Sequence, residues 1–310
     1  MTLARPTLFS PLVLGRAQLP NRVAMASRPS GCAVEDGRVT REMAAFYLAR
    51  ARGGAGLIVT EPAFPVPPRA RTPHLALYDD AHIAALRTCI TAVQAAGATV
   101  LVMLDQPLDL EQFSGAEIAE LGALFITAAW RAHSAGAAGV MLSTCEDGPF
   151  ATLLSPLLNR RTDQHAAGLE GRLWLLLNVV EGIIRWLGPS FVVGVRLVAE
   201  EFAPGGIELQ DARVIARRLT SAGAGLLEVG TRSPASAPVA QFPGWRLPLA
   251  TAIRAVVDVP VMVGGLMDDP ALADSAVRDG STDLIDVGER LLRDPHWPAQ
   301  ARAALRRASQ

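Results

Sequence analysis

The sequence has little cysteine, no block of charge of one sign and no long uninterrupted apolar run. Its three cysteines, Cys32, Cys89 and Cys145, are odd in number and show no CxxC spacing, which argues against a disulfide framework and against a zinc site. The formal net charge is −1 and the longest basic runs are pairs of arginines, so nucleic acid is not expected as a partner. No metal is expected.

Signals for membranes and export are also lacking. The most apolar stretch, LWLLLNVVEGIIRWLG, is interrupted by Asn178, Glu181 and Arg185, so neither a transmembrane helix nor a membrane partner is expected. The first residues, MTLARPTLFSPLVLG, are broken by prolines and lack the apolar core of a signal peptide. This pattern predicts a cytoplasmic protein.

A regular alternation of short and long segments runs through the 310 residues, of which 50% are hydrophobic. Longer segments with helical spacing follow the short apolar runs, with Ser114 and Asp80 expected as helix N-caps. Eight such alternations predict the α/β class and a (β/α)8 TIM barrel, with residues 1–310 as one domain. Active residues are then expected just past each strand. The eight short runs are 22–27, 56–60, 99–104, 139–142, 191–197, 226–230, 259–264 and 283–287.

Four segments carry a family resemblance along nearly the whole chain. They are LFSPLVLGRAQLPNRVAMA near the start, DGRVTREMAAFYLARARGGAGLIVTEP around the second predicted strand, LSPLLNRRTD after the fourth and DLIDVGERLLRDP after the eighth. In this order they resemble the Old Yellow Enzyme family, the FMN-dependent NAD(P)H:flavin oxidoreductases and ene-reductases. The resemblance implies common ancestry, the barrel fold, bound FMN and NAD(P)H as a reductant.

The resemblance also implies which residues would hold FMN. Gly264, Gly265 and Gly288 match the loops whose backbone N–H groups hold the phosphate, and their alternative role is to form tight turns. Arg196 matches the arginine at the pyrimidine edge of the flavin, and its alternative role is a structural ion pair with Glu200 or Glu228. The other cofactor contacts that the resemblance implies are Ala26, Ser27, Pro62, Met103 and Arg290.

The sequence departs from the family at several positions. Ser143 and Glu146 stand where the family has two histidines, and Gly148 stands where it has a proton-donating tyrosine. Met103 replaces the flavin-binding glutamine. Glu289 replaces the phosphate-binding arginine, and a carboxylate beside a phosphate is repulsive. Either Arg290 turns inward and Glu289 outward, or phosphate binding is weak.

The remaining polar residues near the expected barrel mouth are the catalytic candidates. Glu146 and Asp147 are a candidate acid and base pair with a raised pKa, and the alternative is that EDG is an ordinary polar turn. Ser143 and Arg196 complete the catalytic set. Arg28, Ser30 and Asp105 are candidates for binding substrate.

Three functions remain open from the sequence. The first is an FMN-dependent oxidoreductase with an altered pocket, acting on a small organic molecule such as a specialised metabolite. The second is a barrel without flavin chemistry that catalyses an isomerisation, cyclisation or dehydration. The third is a pseudoenzyme that binds a small molecule or a partner protein. A homodimer is a further open alternative.

Overall fold

The computed structural model describes residues 5–233, 239 and 241–308, and its centre is a closed ring of eight parallel strands. The ring consists of the third, fourth and seventh to twelfth strands of the described chain. Each ring strand pairs with the next, and the last pairs with the first. The strands are β1 (Leu12–Leu14), β2 (Ala17–Leu19), β3 (Val23–Met25), β4 (Leu57–Val59), β5 (Ala63–Phe64), β6 (Leu75–Ala76), β7 (Thr99–Leu104), β8 (Gly139–Ser143), β9 (Val192–Val198), β10 (Leu226–Gly230), β11 (Val261–Val263) and β12 (Leu284–Asp286).

Helices alternate with the ring strands and cover the outside of the barrel. Each of the eight predicted runs overlaps one ring strand, so the prediction of a (β/α)8 barrel is confirmed. The helices of the described chain are α1 (Arg41–Arg52), α2 (Ile83–Ala95), α3 (Gly115–Ser134), α4 (Pro149–Leu154), α5 (Gly168–Leu187), α6 (Leu209–Ser221), α7 (Leu247–Arg254), α8 (Pro270–Arg278), α9 (Gly288–Arg293) and α10 (Trp297–Ala308).

One of the two predicted N-caps is confirmed and the other is wrong. Ser114 caps α3 in a capping box, because its hydroxyl accepts from the backbone of Glu117 while that carboxylate accepts from the Ser114 amide. Asp80 does not cap a helix. The extended residue before it, Asp79, accepts from the Ala81 amide and starts a short 3-10 helix over Asp80–His82.

Side chains of the ring strands alternate between the barrel interior and the helices. In β4, Leu57 and Val59 belong to the apolar cluster inside the barrel, whereas Ile58 packs in the outer layer under the helices. Met103 and Ala26 also belong to the interior cluster and are 1% and 0% exposed. Their side chains are enclosed in the barrel interior, and their predicted contact with a cofactor stays a prediction.

The carboxyl ends of the ring strands meet at one mouth of the barrel, as parallel strands require. The predicted site residues lie at or after these ends, on the loops that follow β3, β4, β7, β8, β11 and β12 and at the mouth end of β9. Within the described ranges, no helix combines the length and apolar character needed to cross a membrane.

Candidate active site

Arg196 lies on β9 at the mouth and connects several elements of the site. It is 7% exposed, its Nε lies 2.9 Å from Glu228 Oε1, and its Nη1 lies 2.5 Å from Glu146 Oε1. Its Nη2 also donates to the carbonyl of Ser27 at 3.3 Å. Burial alone would lower the pKa of Arg196, but the two carboxylates outweigh burial and raise it. Of the two ion pairs that the sequence allowed, the one with Glu228 is present.

Glu146 does not have the raised pKa that an acid catalyst needs. Its side chain is 43% exposed and accepts hydrogen bonds from the Ser143 hydroxyl and from Arg196. Burial would raise the pKa of Glu146, but Arg196 and the Ser143 hydrogen bond together lower it. Glu146 is therefore ionised at neutral pH and is a poor proton donor, so this part of the prediction is corrected.

Asp147 also departs from the prediction. Its side chain is 82% exposed and pairs with Arg232, on the loop after β10. Because Glu146 and Asp147 each have their own arginine, neither needs to share a proton with the other. The predicted acid and base pair is not formed.

Asp105 follows β7 directly and is the most deeply buried carboxyl among the predicted catalytic and substrate-binding residues. It is 3% exposed, and its Oδ1 has no hydrogen-bond partner within the part of the chain that the structure describes. Burial, assisted by the negative charge of Glu146, raises the pKa of Asp105 to about 7. Asp105 thus has the property that the sequence assigned to Glu146, and its predicted role in substrate binding stays a prediction.

A cleft opens on another side of the mouth, between the loops that follow β10, β11 and β12. Gly265 lies in it with φ at +103°, and a side chain there would approach Trp245 Nε1 to 3.1 Å. The backbone of this loop therefore requires glycine. The cleft is lined by Arg28, Gln241, Trp245, Arg246, Gly265, Leu266, Met267, Asp268, Asp286, Val287, Gly288, Glu289, Arg290 and Arg293.

Three arginines of this cleft have unused donors. The Nε atoms of Arg28, Arg246 and Arg290 are buried and have no hydrogen-bond partner within the described residues. A buried donor without an acceptor costs about 1–3 kcal/mol, and more when it is charged. Three such donors around one cleft indicate a site for an external anion.

Two of these arginines were not assigned to this cleft by the sequence. Arg28 lies in the cleft with its Nη2 3.3 Å from Asp286 Oδ2, and its predicted role in binding substrate stays a prediction. Arg246 was not predicted as a site residue, although it directly follows a tryptophan in the segment GWR, where an arginine can stack on the aromatic ring. Its guanidinium lies 4.6 Å from the centre of the Trp245 ring, in a cation–π contact.

Gly264 and Gly288, after β11 and β12, leave space for the Asp286 side chain. The amide of Gly288 already donates to Asp286 Oδ1 at 2.7 Å, so its predicted bond to a phosphate is corrected. A Cβ on Gly264 would stand 2.7 Å from Asp286 Oδ2. Glu289 is exposed, whereas Arg290 is half-buried with its Nη2 3.5 Å from Asp294 Oδ2. Both residues line the cleft, so the choice between the two arrangements that the sequence allowed stays open.

The other predicted contacts form the rim of the mouth after β3 and β4. Ser27 is buried, and its carbonyl accepts from Arg196. The amide of Ser30 donates to Glu61 Oε2 at 2.7 Å, which ties the two loops together. Pro62, directly after Glu61, is half-buried. These residues position the rim, and their contact with a ligand stays a prediction.

The segment NRRTD, residues 159–163, fastens the loop after β8. Asn159 Nδ2 donates to the carbonyls of Leu153 and His165 at 2.7 and 2.9 Å. Arg161 Nη1 donates to the carbonyl of Leu110, on the loop after β7, at 2.8 Å. These bonds join the segment after α4 to the end of α4 and to the loop that carries Asp105.

Comparison with known proteins gives consistent matches over the chain. The model of the NADH:flavin oxidoreductase / NADH oxidase family matches residues 7–109 and 105–307. An NADH oxidase of Thermoanaerobacter brockii is 30% identical over 96% of this chain, which spans 51% of that protein. An NADPH dehydrogenase of Bacillus pumilus strain SAFR-032 is 31% identical over 96% of this chain and 95% of its own length.

Solved structures agree on the fold. A 2-naphthoyl-CoA reductase in complex with 2-naphthoyl-CoA superimposes with a TM-score of 0.86 at 21% identity, over 96% of this chain and 52% of its own. The chain therefore spans about half the length of this reductase and of the NADH oxidase, and nearly all of the NADPH dehydrogenase.

Proposed function

The chain belongs to the NADH:flavin oxidoreductase / NADH oxidase family, and on that premise we propose that it is an FMN-dependent oxidoreductase that takes electrons from NAD(P)H. The family membership agrees with the resemblance found in the sequence and favours the first of its three interpretations. The substrate we propose is a small organic molecule, because clefts at the mouth of a TIM barrel take ligands of that size.

The observation that supports this proposal most strongly is the cleft with three unused arginine donors. The Nε atoms of Arg28, Arg246 and Arg290 have no hydrogen-bond acceptor in the described chain. The phosphate of FMN carries negative charge and acceptor oxygens that could pair with these arginines. The glycine at position 265 lets the backbone come close to such a group. The residues present therefore fit the phosphate end of FMN, despite Glu289 and Asp286.

Arg196 is the residue that we propose for the ring end of the cofactor. Glu228 and the Ser27 carbonyl hold its guanidinium in place, while Glu146 pairs with its outer edge. FMN, when bound, supplies hydride transfer. The part of Arg196 in that chemistry is to present hydrogen-bond donors held in a fixed position, which favours negative charge on a neighbouring ring.

Reduction by a nicotinamide cofactor tests this function. FMN-loaded protein mixed without oxygen with NADPH, and separately with NADH, is expected to lose its flavin absorbance with at least one of them. Free FMN under the same conditions is the control. Bound FMN that stays oxidised with both reductants would show that the proposed function is wrong and would favour a barrel without redox chemistry.

A further inference from the structure

We propose that Asp105 is the proton donor of this enzyme, delivering a proton to the substrate carbon next to the one that receives a hydride. The inference rests on the proposed flavin function and deepens it. It assigns the acid role to a residue on the loop after β7, whereas the sequence predicted one on the loop after β8.

The carboxyl group of Asp105 is enclosed at the barrel mouth. Asp105 lies at the mouth, under the turn that carries Glu146 to Gly148, and Oδ1 is fully enclosed without a partner in the described chain. Buried carboxyl oxygens are normally hydrogen-bonded, and exceptions occur at sites of chemistry. Oδ1 of Asp105 is therefore an oxygen at the barrel mouth whose hydrogen-bonding capacity no group of the described chain uses.

Gly148 lies directly against the carboxyl group of Asp105. A Cβ on Gly148 would stand 1.8 Å from Asp105 Oδ1 and 2.8 Å from its Cγ, so any side chain there would displace the carboxyl. Gly148 has φ at −84° and ψ at 175°, a conformation that every residue type adopts. The backbone conformation at position 148 therefore does not require glycine. Glycine is required there because a larger residue would occupy the space of the Asp105 carboxyl. Gly148 is also the position where the family resemblance implies a proton-donating tyrosine.

Two carboxylates and one guanidinium lie near the carboxyl group of Asp105. Asp105 is influenced by Glu146 and Asp147, from the turn after β8, and by Arg196 on β9. Burial and Glu146 raise its pKa to about 7, and the opposing influence of the Gln106 amide and Arg196 is smaller. A substantial fraction of Asp105 is therefore protonated at neutral pH, whereas Glu146 is not.

The reaction is the reduction of a carbon–carbon double bond conjugated to an electron-withdrawing group. FMN, when bound and reduced by NAD(P)H, would supply a hydride, which is a proton with two electrons, to one carbon of the double bond. The electron pair of the double bond takes the proton of Asp105 at the other carbon, so a C–H bond forms and the O–H bond breaks. Asp105 is left as a carboxylate, and solvent returns its proton.

The test compares Asp105→Asn with Asp109→Asn. Asp109 lies in the same loop but is exposed, and asparagine keeps the acceptor that Asp109 offers to the Glu111 amide. With NADPH and 2-cyclohexen-1-one, Asp105→Asn is expected to lower kcat by about 10²–10⁴-fold. FMN content and flavin reduction by NADPH are expected to stay unchanged in both variants, and Asp109→Asn is expected to keep the kcat of the wild type.

Two further readouts separate an acid from a structural residue. The kcat of the wild type is expected to fall as the pH rises through about 7, and this fall is absent in Asp105→Asn. In the FMN-loaded wild type, the carboxyl carbon of Asp105 is expected to titrate near pH 7 by carbon-13 NMR.

Three outcomes would overturn the assignment. They are a carboxyl that titrates near its ordinary value of about 4, a kcat of Asp105→Asn within about 3-fold of the wild type, and a flavin that NADPH reduces but that never passes electrons to the enone. Failure of the wild type to take up FMN would instead overturn the proposed function, which keeps the two failures distinct.

Discussion

Replacing Arg196 with alanine is expected to lower the free energy of unfolding by about 3–5 kcal/mol. The side chains of Arg196 and Glu228 are 8% and 7% exposed, so the change leaves a buried carboxylate without its cation. Burial already raises the pKa of Glu228, and Arg196 is the cation that opposes this. Urea denaturation followed by circular dichroism measures the loss. The variant is also expected to lose its affinity for FMN.

The matched control removes both charges of this pair. Arg196→Met combined with Glu228→Leu is expected to recover most of the lost stability, because a buried ion pair is often replaceable by apolar side chains of similar volume. The double variant is not expected to regain FMN. A loss below about 1 kcal/mol in Arg196→Ala would mean that the pair is not a buried one in solution.

Replacing Arg246 with alanine is expected to weaken FMN binding by about 10–100-fold. The reason is the loss of a charge-assisted hydrogen bond to phosphate, worth about 1.5–3 kcal/mol, where about 1.4 kcal/mol corresponds to a factor of ten. Arg246 is a suitable probe because its Nε is buried and no ion pair is found for it within the described residues. Quenching of flavin fluorescence on binding measures the affinity.

Two controls define the origin of this effect. Riboflavin lacks the phosphate, so its affinity is expected to be the same in the wild type and in Arg246→Ala. Arg306→Ala, at an exposed position of α10, removes the same charge far from the cleft and is expected to leave FMN affinity unchanged. An equal loss for FMN and riboflavin in Arg246→Ala would place Arg246 away from the phosphate.

The barrel could be predicted from the sequence because its signals are local. The run TVLVML coincides with β7, and LLEVG coincides with β10. Glycines mark the turns before these strands, and Ser114 with Glu117 marks the start of α3. The predicted N-cap, Asp80, is one residue later than the observed N-cap, Asp79. The choice between two neighbouring aspartates depends on the backbone conformation and not on residue type.

The site could be predicted only in part, since its contacts join residues that are distant in sequence. The sequence predicted that Arg196 and Glu146 lie at the mouth. Because they are 50 residues apart, it could not predict that they form the ion pair that makes Glu146 a poor acid. Arg28 lies on the loop after β3, Arg246 lies directly before α7 and Arg290 lies in α9, so no local sequence pattern could reveal that they share a cleft. The packing of Asp105 against Gly148 depends on the spacing of β7 and β8, which no local pattern reveals.

Titration of flavin-free protein with FMN, and in parallel with riboflavin, measures whether the arginine cleft holds the phosphate of FMN. The account predicts a yellow protein with absorbance at about 450 nm after addition of FMN. It also predicts an affinity for FMN at least about 10-fold higher than for riboflavin, because only FMN carries the phosphate. A protein that stays colourless with FMN, or that binds the two flavins equally, would contradict it.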